Sequence, residues 1–175
     1  MIGLERGVVR LVAYDPEWPR LFELEKQRLL AALNGQILDI QHVGSTSIPG
    51  CTAKPILDIA IAVENFEQAF ACVPLIEQLG YEFGGERGIP RRHYFVKRTP
   101  HSTHHIHMLE IAGSEWQAHL LFRDYLRAHL EAVEQYVLLK QMLAEKYPSD
   151  REAYTDGKTK FIKNILEIAG LGNQL

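Results

Sequence analysis

The chain has 175 residues, 46% of them hydrophobic and 23% charged, and its 19 basic and 22 acidic side chains leave a formal charge of −3. That balance belongs to a globular chain that closes around its own core without a metal or disulfide staple, and it excludes a surface basic enough overall to trap nucleic acid. Cys51 and Cys72 match neither a CxxC pair nor a zinc-ribbon spacing, no run approaches about 18 apolar residues, and no apolar stretch follows Met1–Arg10, so the expectation is a reduced, cytoplasmic protein without membrane spans.

Val8 to Val12 alternates weakly and meets Asp15-Pro16-Glu17-Trp18-Pro19, a cluster suited to starting a helix. Trp18, Phe22, Leu29 and Leu33 then share one helical face, and Asn34-Gly35 offers a stop. Residues 37–43 read as a strand, Gly44 to Gly50 as a hydroxyl-rich loop or short helix start, and residues 55–63 as a buried central strand whose only charge is Asp58. Phe66, Phe70, Val73, Ile76 and Leu79 predict a helix that Pro74 kinks or breaks, and Gly80 closes it. Tyr81-Glu82-Phe83 is a short strand, and strands over 92–98 and 104–111 follow. Ser114 with Gln117 and Ser149 with Glu152 carry capping-box patterns. The first opens a helical stretch to Pro148 with a break near His129; the second opens a final helix to Gly170. The fold class expected is α/β of the α+β kind, a mixed sheet with flanking helices, residues 1–113 forming the core and 114–175 a helical layer on the same compact domain.

Two clusters carry chemistry. Gln41-His42-Val43-Gly44-Ser45-Thr46-Ser47 ends a strand in a position without Cβ, followed by backbone N–H groups and hydroxyls, which suits a phosphate. Asp58 on the next strand could hold a hard divalent cation beside it. The plain alternative is a turn, with Asp58 capping a neighbouring loop. His101, His104, His105 and His107 fall within seven residues. In a strand His105 and His107 project from one face, as metal ligands or a general base, while His104 and Glu110 take the other. Surface histidines on a sheet edge are the alternative, and His42 reads as a structural, hydrogen-bonded residue. Arg123 and Arg127 share a helix face, and Lys54 and Lys158 are further cations for phosphate; solvated surface charge is the ordinary explanation. Trp116, Phe122 and Tyr125 read as core.

The run His42 to Gly50, then Lys54-Pro55-Ile56-Leu57-Asp58-Ile59, resembles the GrpB family, which is similar to a branch of the polymerase-beta-like nucleotidyltransferases. Tyr14 to Trp18, His105 to Glu110, Phe122 to Arg127, and Tyr154, Lys158 and Phe161 extend the likeness. The resemblance implies a nucleotidyltransferase-like sheet and transfer of a nucleotidyl group from a nucleoside triphosphate to a small-molecule acceptor. Gly44, Ser45, Thr46, Ser47, Lys54, Arg123, Arg127 and Lys158 would meet the phosphates, and Asp58 and His107 would serve the reaction. Asp58, His105 and His107 would hold Mg2+, or Mn2+ or Zn2+ in its place. Ala60 stands where the nucleotidyltransferase pattern has its second carboxylate, and a methyl group binds no cation. A non-catalytic nucleotide-binding or sensing module, and a metal-dependent hydrolase built on the histidines, are therefore the competing expectations.

Overall fold

A computed structural model describes residues 2–98 and 100–170. Helix α1 (Trp18–Leu33) starts with Pro19 in its first turn, where the missing N–H costs nothing. Its apolar face is buried as the spacing predicts: Trp18, Leu29 and Leu33 are fully buried and Phe22 nearly so, each worth roughly 1.5–3 kcal/mol of transfer energy. Strands β1 (Asp39–Val43), β2 (Leu57–Val63), β3 (Tyr81–Phe83), β4 (Arg92–Arg98) and β5 (Ser102–Glu110) form one sheet in the order β1-β2-β5-β4-β3. β2 and β5 pair in parallel, and the other neighbouring strands of this sheet are antiparallel. The sheet is the mixed one expected.

Alternation along the strands gives the sheet two unlike faces. Leu57, Ile59, Ile61, Val63, Phe95, Ile106 and Met108 join α1 in the main core. Ala60, Ala62 and Leu109 look the other way, where Val43 and Trp116 of α3 (Ser114–Ala128) complete a smaller cluster. Helices α4 (Leu130–Lys146), α5 (Arg151–Asp156) and α6 (Thr159–Ile168) extend that second layer. Asp58, His105 and His107 belong to this side, at the end of the sheet beyond the small alanines.

Several local expectations are corrected. The helix expected from Phe66 to Leu79 is a 3-10 turn over Gln68–Cys72 followed by α2 (Val73–Glu77), and Pro74 sits in the first turn of α2, so it starts the helix instead of kinking it. Gly113 is the N-cap of α3 and no side chain closes it, so Ser114 is already helical. At the next start Asp150, not Ser149, accepts the Ala153 N–H at 3.0 Å. The final helix divides into α5 and α6 at Gly157-Lys158. A Cβ on Gly157 would collide with the Leu143 side chain, so α4 and this corner touch at a glycine. The break at His129 lies where expected, its Nδ1 bonded to the Tyr125 carbonyl at 2.8 Å. Among the described residues no helix is long and apolar enough to cross a membrane.

Candidate functional site

Val43 is the register partner of Asp58, so the end of β1 delivers its loop beside the start of β2. Gly44 makes the corner at φ 68°, ψ −175°, and Ser45–Ser47 follow as one 3-10 turn. Ser47 Oγ donates to the Gly44 carbonyl at 2.6 Å and Thr46 Oγ1 lies 3.0 Å from His42 Nε2, which ties the turn to the strand it left. His42, stacked on Phe22, is structural as expected.

Asp58 pairs with His105 and Ala60 with His107 across the β2–β5 ladder. The small Ala60 side chain leaves room for the His107 ring to lean back toward Asp58. Asp58 Oδ1 accepts from His105 Nδ1 at 3.2 Å and from His107 Nε2 at 3.5 Å. On the far side of its ring, His107 Nδ1 lies 3.3 Å from Nη1 of Arg92, a guanidinium held by the Glu86 and Arg87 carbonyls. Guanidinium only donates, so Nδ1 of His107 accepts and its proton sits on Nε2. His105 has the opposite arrangement. Its Nδ1–H is spent on Asp58, which leaves the Nε2 lone pair without a hydrogen bond among the described residues.

Burial opposes charge on Asp58, yet the hydrogen bonds from His105 and His107 outweigh it and hold the carboxyl well below its ordinary range. Burial pushes His105 down despite the Asp58 carboxylate. His119, whose ring centroid is 4.9 Å from that of His107, is pushed down to about 3, chiefly by burial. Asp58 is thus a carboxylate beside neutral His105 and His119 at neutral pH.

These groups line a cleft of about 1040 Å³ between the sheet end and the second helical layer. Gly44, Ser45, Thr46, Lys54, Asp58, His105, His107 and Lys158, all singled out in the sequence, face it together. It also holds Arg92, which flanks β4, and Arg87 and Arg151, which sequence patterns did not flag because they sit in unrelated segments. Among the described residues none of Lys54, Arg87, Arg151 and Lys158 has an ion pair with a carboxylate. Phe122, Ile162 and Leu166 make part of the wall apolar.

Three expected phosphate ligands stand elsewhere. Ser47 is buried behind the turn. Arg127 gives its Nε and Nη2 protons to the Ser47 carbonyl at 2.9 and 2.7 Å, and Arg123 binds the His42 carbonyl and Gln41 at 3.0 and 2.8 Å. The two arginines, one turn apart on α3, clamp both ends of the loop from outside the cleft, because backbone carbonyls at a sharp corner need donors. His104 turns to the α1 side, and Glu110 binds Arg91. Among the described residues no group of three or more His, Cys, Asp or Glu is arranged to hold a metal ion. His107 explains part of this, since its free lone pair is directed at Arg92.

The profile of a family described as GrpB protein matches residues 8–168. The chain is 38% identical over 171 residues to glutamate-rich protein GrpB of Alkalihalophilus pseudofirmus, covering 95% of this chain and 98% of that one. It is 40% identical over 161 residues to UPF0157 protein YqkA of Bacillus subtilis, covering 92% of this chain but only 47% of that longer protein. The crystal structure of conserved protein GrpB from Enterococcus faecalis superposes with a TM-score of 0.86 at 36% identity, over 94% of this chain and 98% of that one.

Proposed function

The chain belongs to the GrpB family, and from that premise we propose that it is a nucleotidyltransferase-like protein whose cleft binds a nucleoside triphosphate with a divalent cation and passes the nucleotidyl group to the hydroxyl of a small molecule. The observation that carries this reading is the gathering of Lys54, Arg87, Arg151 and Lys158 around Asp58 in one cleft, with no carboxylate ion pair to any of them among the described residues. Such a set, costly to hold together alone, matches a ligand with several negative charges. The Gly44-Ser45 corner offers a hydroxyl at its edge, and Phe122, Ile162 and Leu166 offer an apolar wall for the base. The near-neutral surface favours a small acceptor over nucleic acid. Two free, buried cysteines suit a cytoplasmic setting.

Mg2+ or Mn2+ fits this site better than Zn2+. Magnesium usually takes one or two carboxylates and completes its shell with phosphate oxygens and water, so Asp58, whose Oδ2 is not engaged by the imidazoles, would hold it without a protein cage. Bound there, the cation would supply neutralisation of phosphate charge. The chain's own residues do the rest. His105, oriented through Nδ1 by Asp58, presents Nε2 to take the acceptor proton, the arrangement by which a carboxylate fixes the tautomer of a general base. His107, with its proton on Nε2 and Arg92 behind it, holds Asp58 in place. Ala60, the missing second carboxylate, favours one competing reading, a sensor that binds nucleotide without turning it over.

Calorimetry with the four nucleoside triphosphates, with and without Mg2+ or Mn2+, tests the binding, and pyrophosphate release tests turnover. Asp58→Asn should abolish the cation-dependent part of the affinity. His105→Ala should leave binding and lower turnover by about 10²–10⁴-fold. Absence of nucleotide binding under every condition would refute the proposal, and tight binding without pyrophosphate release would favour the sensor.

A further inference from the structure

Lys54 precedes β2 and Lys158 stands at the α5–α6 corner, yet both ammonium groups come to rest on the same ring. Lys54 Nζ is 5.1 Å and Lys158 Nζ 4.7 Å from the centroid of Tyr154, which is itself buried to 1% exposure. Both lysines are partly buried and both line the cleft. The charged groups facing them are Asp58 from β2, Lys140 from α4 and Arg151 from α5, while Glu152 and Asp156 of α5 line the same cleft without pairing to either lysine. A tyrosine face attracts cations, but it does not cancel two of them. The corner at Gly157 brings Lys158 into this crowd. A single surface lysine would be solvated; a pair on one buried ring, with an arginine beside it, is a built receptor for an anion.

We infer that Lys54 and Lys158, gathered on Tyr154, form a subsite for a phosphate dianion and that this subsite takes up a proton together with its ligand. The inference rests on the polyphosphate reading above and adds to it the chemistry of one end of the ligand. Burial first, then the neighbouring cations, push Lys158 down to about 7 and Lys54 to about 8. In the free protein near pH 8 the pair therefore carries less than its full charge. A phosphate dianion supplies the missing countercharge, raises both lysines again and draws protons from solution. Affinity should then fall as the pH rises through this range.

The experiment is titration calorimetry of the full chain at pH 8, with inorganic tripolyphosphate and separately with ATP and Mg2+. Each titration is run in buffers of different ionisation enthalpy, so that the slope of the observed heat gives the protons taken up. Uptake of about one proton per site is expected. Lys54→Arg with Lys158→Arg keeps the charge but removes the titration, since guanidinium stays protonated; this variant, checked for an unchanged melting curve, should bind tripolyphosphate without uptake. Lys158→Met should weaken tripolyphosphate at least tenfold. Binding without proton uptake by the wild-type chain, or equal uptake by the double arginine variant, would overturn the inference and leave the nucleotide reading standing. Tripolyphosphate binding with uptake but no response to nucleotides would do the reverse, and failure to bind either would defeat both.

Discussion

Replacing Gly44 with alanine puts a side chain on a residue at φ 68°, ψ −175°, a region almost reserved for glycine that costs other residues about 1–3 kcal/mol. The added Cβ would also stand 2.6 Å from Asp58 Oδ2, 2.9 Å from its Cβ and 3.1 Å from its Cγ. The carboxylate cannot swing aside freely, because Oδ1 holds His105 and His107. Breaking one such charge-assisted bond costs about 1.5–3 kcal/mol. Strain and one lost bond together predict that Gly44→Ala destabilises the fold by about 2.5–6 kcal/mol. Urea unfolding followed by circular dichroism measures this; with a slope of about 2 kcal/mol/M the midpoint should fall by roughly 2 M. Asp58→Ala removes Oδ2 and Cγ together with the bonds to His105 and His107, and leaves the backbone strain and the 2.9 Å approach to Cβ. The double variant should therefore lose less than the sum of the singles, by about 1–2 kcal/mol. A Gly44→Ala protein within about 0.5 kcal/mol of wild type, or strict additivity in the double variant, would show that the loop and Asp58 are not in the contact described.

Two further outcomes follow from groups away from the cleft. His42 and His104 are both buried and both pushed down to about 4, by burial before any neighbouring charge. Their stabilisation is therefore present above about pH 6.5 and lost as the pH falls toward 4, because the unfolded chain binds protons that the folded one refuses. The loss is up to about 1.4 kcal/mol per pH unit for each histidine, so unfolding free energy should drop by about 2–4 kcal/mol between pH 7 and pH 5, and a flat profile would contradict the assignment. Glu25, 5% exposed on α1, binds Lys97 at 2.9 Å, Arg28 at 2.8 Å and the Tyr81 hydroxyl at 2.8 Å. Glu25→Ala leaves that ammonium and phenol without their acceptor and should cost about 3–5 kcal/mol, with nucleotide affinity unchanged because α1 covers the opposite face; a thermal melt and a binding isotherm on the same sample check both.

The expectations that held are those written in short-range periodicity. Four apolar residues at helical spacing marked the buried face of α1, and Asp58 stood out as the one charge in an apolar strand. The two-residue repeat put His105 and His107 on one side of β5, where the structure brings both to Asp58. Helix starts were less legible. Neighbouring hydroxyl and carboxylate groups compete for the same cap, and Asp150 displaced Ser149 at a cost of one residue in register.

Local spacing shows which residues can alternate, cap or turn, and with them the sheet-and-helix class and the loop beside Asp58. Which cations share the cleft is set by packing between segments far apart in the chain. Arg87, Arg92, Arg151 and Lys158 come from segments with no common local pattern, and they meet because β5 lies between β2 and β4 and because α5 and α6 part at Gly157. The same holds for Arg123 and Arg127, whose spacing showed a shared face but not that this face meets backbone carbonyls instead of a ligand. It holds also for His107, whose proton position depends on an arginine fifteen residues away across an antiparallel ladder. Local spacing sets the direction in which a side chain leaves its own helix or strand; what it meets there is set by the burial of apolar faces that brings separate elements together.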